Sequence, residues 1–170
     1  GCGPADITLR LARALPQWQL VGVDGGENML NSGRAACRAA NMEQQIKFQL
    51  CLIPDAKLPQ HQADGIVSNS LLHHLPSPLS LWQSIRQLGK PGAFFHVMDL
   101  ARPNSIEEAK VLVDNYAADE HPILKEDFYN SLLAAYTAAE VEQQLNTCGI
   151  TSFQIESPTD RHWIAWGQLS

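Results

Sequence analysis

The sequence has no run of about 18 apolar residues, so no segment reads as a membrane-spanning helix. It shows no secretory leader pattern, and a cytoplasmic protein is the resulting expectation. Its four cysteines are Cys2, Cys37, Cys51 and Cys148, and none forms a C-x-x-C pair or a zinc spacing. That excludes a disulfide scaffold and a structural zinc site, and it predicts buried or half-buried free thiols. No metal is expected. Lysine and arginine do not cluster, and the formal net charge is −6. A nucleic-acid backbone is therefore a disfavoured partner. What is present suits one soluble globular domain: 170 residues, 45% hydrophobic and 18% charged.

The hydrophobic pattern alternates between helical and strand periods. Residues 6–15 place Ile7, Leu11, Ala14 and Leu15 at helical spacing, and Pro16 stops that helix. Residues 19–23 read as a buried strand, 27–40 as a helix, 46–52 and 63–68 as strands. A helix opens at Pro76-Ser77-Pro78, with Ser77 as its cap, and runs to Leu88. Residues 89–92 read as a turn, 93–99 as a strand, 104–134 as one or two helices and 138–147 as another, closed near Gly149. Two last strands, 151–156 and 162–167, form an antiparallel hairpin. Trp163 and Trp166 point to opposite faces, so one belongs to the core. This order implies an α/β fold with a mostly parallel sheet covered on both faces.

Ligands of such sheets lie beyond the carboxyl ends of the strands. Asp24 ends one strand, Asp55 follows the next, Asn69 and Ser70 end the third, and Asp99 ends the fourth. The chain begins with a glycine turn, Gly1-Cys2-Gly3-Pro4-Ala5-Asp6, directly before the first helix. Such a turn allows close approach to a polar ligand, and Asp24, about 20 residues on, suits a ribose. A dinucleotide would put its pyrophosphate at the helix N-terminus. Asp6 occupies the sixth position of the motif and would repel it. S-adenosylmethionine, with a sulfonium and an ammonium, is better matched to acidic neighbours.

The motifs together resemble the class I S-adenosylmethionine-dependent methyltransferases. Gly1-Cys2-Gly3-Pro4 resembles their first motif, and Val21-Gly22-Val23-Asp24 with Met29-Leu30 their second. Asp55-Ala56-Lys57-Leu58-Pro59 resembles the adenine-binding segment. The stretch from Asn69 to Leu75 resembles the fourth-strand end of small-molecule enzymes, and Leu88 to Ala93 the turn before the fifth strand. The resemblance implies a Rossmann-like three-layer sandwich with a C-terminal antiparallel hairpin, read as one domain over residues 1–170. It implies that Gly1, Cys2 and Gly3 lie against the methionine part of the cofactor. Asp24 would bind the ribose, Met29 would pack on adenine, and Asp55 would accept from its amino group beside Ala56. Asn69 and Ser70 would face the methionine moiety or the reaction centre. The family's first strand precedes the glycine turn and is missing here, so the chain reads as N-terminally truncated. The sheet is expected to close that gap, or another copy or a partner chain to cover it. Ala5 stands where a third glycine is often found, which reads as a mild change.

Methyl transfer needs aligned partners, and a nucleophile that carries a proton also needs a base. His73 and His74 are the candidates for that base. Tyr129, within a segment that lines an acceptor pocket or packs as a helix face, is a candidate substrate contact. Arg102 and Arg161 could hold a polar or anionic acceptor, with a local pairing to Asp160 as the alternative for Arg161. The expected function is methyl transfer from S-adenosylmethionine to a small-molecule acceptor, a reading supported by the absence of an Asn-Pro-Pro-Tyr tetrapeptide. The alternatives are an inactive interaction module of the same fold and, less favoured, a nicotinamide-dependent oxidoreductase.

Overall fold

A computed structural model describes residues 1–55 and 57–170, which divide into two compact units, Gly1–Asp55 and Ala56–Ser170. In the first unit, α1 (Asp6–Ala14) leads to β1 (Leu20–Asp24), α2 (Glu27–Ala39) and β2 (Ile46–Leu50). The two strands pair in parallel, Leu20 opposite Ile46 through Asp24 opposite Leu50. Leu9 and Ala12 of α1, Cys37 of α2 and Ile46 of β2 make a small core, closed by Leu20, Met42 and Phe48. Gly33 brings α2 close to this layer. A Cβ there would lie 3.2 Å from both the Ala5 Cβ and the Phe48 ring.

In the second unit, β3 (Ala63–Asn69) is followed by the short 3-10 helix η1 (Leu72–His74), α3 (Leu79–Leu88) and β4 (Gly89–Leu100). Then come α4 (Ile106–Ala117), α5 (Pro122–Ala134), α6 (Ala138–Thr147) and the strands β5 (Phe153–Thr159) and β6 (His162–Gln168). The sheet order is β3-β4-β6-β5, with β3 and β4 parallel and the other pairs antiparallel. The chain's last strand thus sits beside β4, and β5 takes the edge. Alternation along β4 and β6 buries Phe95, Val97 and Asp99 with Trp163 and Ala165 on one face. Trp82 of α3 meets the Phe95 ring edge-on, and its indole N–H donates to Gln144 of α6 at 2.9 Å. Trp163 is the core tryptophan, and Trp166 on the other face is half-buried.

Among the described residues the strands form two hydrogen-bonded sheets, one in each unit. The sequence reading is corrected in three places. Residues 89–92 are not a free turn, because β4 begins at Gly89 opposite Ala63 and its regular pairing resumes at Phe94. Ser77 does not cap α3; the cap position is Pro78 and no side chain bonds there. Ala5 adopts φ 74°, so this position requires the left-handed conformation, which costs a non-glycine residue about 1–2 kcal/mol. The region 104–134 resolves into two helices. Ser105 caps α4, and Pro122 opens α5 with the His121 side chain accepting from the Ile123 N–H. Thr137 and Glu140 form a reciprocal capping box on α6. No helix among the described residues is long and apolar enough to cross a membrane.

Candidate functional site

The first unit builds an acidic, partly apolar cradle around the end of β1. Asp24 is its centre. One carboxylate oxygen accepts the Gly3 N–H and the other the Gly26 N–H, both at 2.8 Å. The Gly1 and Cys2 nitrogens both donate to the Val23 carbonyl, at 2.8 and 2.9 Å, so the glycine turn is laced to the strand end. Gly3 has φ 54°, and a Cβ built on it would meet nothing within 4 Å. Glycine therefore serves conformation here and leaves open space above the turn. Each Asp24 oxygen keeps a second lone pair, so the carboxylate can clamp the turn and still accept from a ligand.

Two exposed apolar side chains stand beside Asp24. Met29, half exposed, packs on Gly26, and Leu52, 77% exposed, lies over Gly25 where a Cβ would overlap it. Leu52 was not singled out from the sequence, and its only signal was an apolar residue just past a strand end. Asp55 follows Pro54 and accepts from the Cys51 thiol at 3.3 Å. Burial pushes the Cys2 thiol pKa up, so this cysteine stays protonated and serves the turn as a neutral group. The expected contact at Ala56 lies outside the described residues.

This donor set tests which cofactor fits. Asp24 and Asp55 bring carboxylates to the cradle, and the Gly1 amine lies at its turn. An anionic pyrophosphate there would meet repulsion from Asp24. The acidic centre and the exposed Met29 and Leu52 side chains fit a cationic sulfonium cofactor that also carries an apolar base.

The second unit gathers its polar groups at the carboxyl ends of β3 and β4. Ser70 takes a left-handed φ of 52° and donates its N–H to the Met98 carbonyl at 2.9 Å. The Asn69 side-chain amide donates to the Ser70 hydroxyl at 3.2 Å. Beneath this corner lies Asp99, only 1% exposed. One of its oxygens accepts the Leu71 and Leu72 N–H groups at 2.8 and 2.7 Å. The other accepts from His73 Nδ1 at 2.5 Å and from the Leu100 N–H at 2.8 Å. Four donors offset the cost of burying this carboxylate, each such bond being worth about 1.5–3 kcal/mol. His73 has its side chain almost buried and stacks on His74, ring centroids 4.0 Å apart. His74 is exposed. Its pKa lies below the ordinary histidine value, chiefly through burial and then through His73, with Asp99 opposing. His74 is therefore neutral at pH 7 and able to accept a proton.

The other expected substrate contacts are engaged within the chain. Arg102 bonds Glu140 at 2.5 Å and the Ala135 carbonyl at 3.3 Å, tying the end of β4 to α6. Arg161 lies 3.4 Å over the Tyr116 ring and reaches Asp160 at 3.2 Å, while the Tyr116 hydroxyl donates to Asp160 at 2.8 Å. Tyr129 is half-buried with Phe128 against Leu100, Leu112 and Leu132. The structure thus joins Gly3 with Asp24, Asn69 with Ser70, and His73 with His74. Among the described residues, no three His, Cys, Asp or Glu side chains converge as a metal-ligand set.

Comparison with known proteins bears on the family and the fold. The family described as methyltransferase domain matches residues 1–92. A demethylmenaquinone methyltransferase of Symbiobacterium thermophilum is 30% identical over 105 residues, covering 61% of this chain and 42% of that protein. A trans-aconitate 2-methyltransferase of Azoarcus sp. is 28% identical over 109 residues, covering 64% and 39%. The matched part of the chain thus spans less than half the length of these relatives. Among solved structures, a SAM-dependent methyltransferase of Aquifex aeolicus superposes with a TM-score of 0.74 at 15% identity, over 100% of this chain and 79% of that one. The plantazolicin methyltransferase BpumL, solved with SAH, superposes with 0.74 at 17% identity, over 100% and 74%. At such identities the superpositions speak for the fold: a Rossmann-like α/β architecture. With the family matched over more than half its residues, the chain belongs to the methyltransferase domain family.

Proposed function

We propose that residues 1–170 act as one domain that transfers a methyl group from S-adenosylmethionine to a small-molecule acceptor. The observation that carries this reading is the Asp24 cradle: a carboxylate holding the glycine turn, flanked by exposed Met29 and Leu52. Bound S-adenosylmethionine supplies an electrophilic methyl on a cationic sulfur. Asp24 accepts from the ribose, Met29 and Leu52 cover the adenine faces, and Asp55 accepts from the adenine amino group. Gly1, Cys2 and Gly3 present backbone to the methionine part. In the second unit, Asn69 and Ser70 serve as polar contacts at the reaction centre. His74, neutral and exposed, takes the proton from the acceptor's attacking atom, and His73 backs its ring. Tyr129 contributes to the acceptor contact, whereas Arg102 and Arg161 would reach an acceptor only by leaving their present partners. A small acceptor is in line with demethylmenaquinone and trans-aconitate in the relatives' names. The net charge of −6 runs against a nucleic acid.

Calorimetric titration with S-adenosylmethionine, S-adenosylhomocysteine and NAD in parallel tests the reading. Saturable heat with the first two and none with NAD is expected. A folded sample that takes up neither sulfur compound would overturn it and leave the interaction-module alternative.

A further inference from the structure

The geometry points to Asp99 as a positioning residue: its buried carboxylate fixes the loop after β3 and, through His73, the ring of His74. Three of its four donors, the Leu71 and Leu72 N–H groups and His73 Nδ1, come from three consecutive residues. That loop follows the left-handed Ser70 and ends on His74, whose N–H donates to the Leu71 carbonyl at 3.0 Å. The carboxylate can only accept, so Nδ1 of His73 carries the proton and the His73 ring plane is set. His74 then stacks on a ring that cannot turn, at 4.0 Å and a 44° tilt. Asp99 does not touch His74, and it acts by holding what His74 rests on. The charges acting on His74 are His73, which lowers its pKa, and Asp99, which raises it. His162 on β6 also feels Asp99.

The inference rests on the proposed function only for the base role of His74. Its test is read without any acceptor, so its failure and the failure of that reading are distinguishable. The full chain, labelled with 15N-histidine, is titrated by NMR as wild type and as Asp99→Asn. In the wild type, a slowly exchanging His73 Nδ1–H and slowly exchanging Leu71 and Leu72 amides are expected. In Asp99→Asn, loss of the slow His73 Nδ1–H and a further downward move of the His74 titration are expected. The downward move reads the lost Asp99 charge, and the lost slow His73 Nδ1–H reads the lost positioning. An unchanged His73 N–H and an unchanged His74 titration in folded Asp99→Asn would overturn the inference. If Asp99→Asn does not fold, His73→Asn decides. It keeps a donor to Asp99 but removes the ring, so the Leu71 and Leu72 amides should stay protected while the His74 titration moves up. A His74 titration that stays at the wild-type value in His73→Asn would overturn the inference equally.

Discussion

Asp24 is predicted to hold the first unit's turn and the cofactor at once, and the two roles separate by substitution. Asp24→Ala removes both 2.8 Å bonds, to the Gly3 and Gly26 N–H groups. A hydrogen bond to a charged group is worth about 1.5–3 kcal/mol, and this half-buried site takes the lower end. The space above Gly3 is open, so water replaces part of what is lost. A net cost of about 2–3 kcal/mol follows, while Asp24→Asn, which keeps one acceptor, costs about half of that. For a chain of this size, 1 kcal/mol moves the thermal midpoint by about 2–4 °C, so Asp24→Ala should melt roughly 4–12 °C lower. Cofactor affinity should fall further than stability, because both variants lose the charge that accepts from the ribose. A loss of about 3 kcal/mol corresponds to more than a hundredfold in Kd. Differential scanning fluorimetry with and without S-adenosylmethionine, together with calorimetry, reads both. A lowered melting point with unchanged affinity would refute the ribose role. An unchanged melting point in Asp24→Ala would refute the clamp.

Further outcomes are expected. Gly25→Ala would push its Cβ into the exposed Leu52 side chain, which can swing away. Stability should change by no more than about 0.5 kcal/mol, while calorimetry should show weaker S-adenosylmethionine binding. Gln144→Met would leave the buried Trp82 indole N–H without its acceptor, costing about 1–3 kcal/mol in denaturant unfolding. The Glu140 pKa is lowered although burial opposes this most; the Thr137 N–H, Arg102 and the Thr137 hydroxyl together prevail. A depressed folded-state value means its stabilisation is complete above the ordinary glutamate range and is lost as pH falls through the lower folded value. Acid titration of wild type against Glu140→Gln should therefore show a stability difference that is full at neutral pH and shrinks as pH falls below the ordinary glutamate range.

Much of the site was legible in the sequence because strand ends announce themselves. A buried run stopping at a polar residue marks a rim position, and Asp24 and Asn69 end their strands as that rule expects, with Ser70 next in the chain. Asp99, by contrast, lies one residue inside the end of β4 and is buried. Helix α6 was read at its observed bounds because its cap, period and closing glycine agree. What was not legible depended on partners far along the chain. Gly89 to Gly92 looks like a turn by composition, but Ala63 pairs with Gly89, and Gly92 donates its N–H to the Leu169 carbonyl at 2.7 Å. Arg161 pairs with its neighbour Asp160, the local alternative, but no local signal showed that Tyr116 would engage it or that Glu140, 38 residues on, would engage Arg102.

The sequence by itself determined the α/β alternation, the family and the order of rim residues. Periodicity, capping and turn chemistry are local, and ordered motifs survive without coordinates. Only the tertiary structure decided the pairing of β6 with β4, the exposure of Leu52 over Gly25 and the burial of Asp99 under the loop of His73 and His74. The physical reason is that a carboxylate's role depends on which donors reach it. For Asp24 those donors lie 21 residues before and 2 after, and for Asp99 mainly 26 to 28 residues before, distances that folding alone closes.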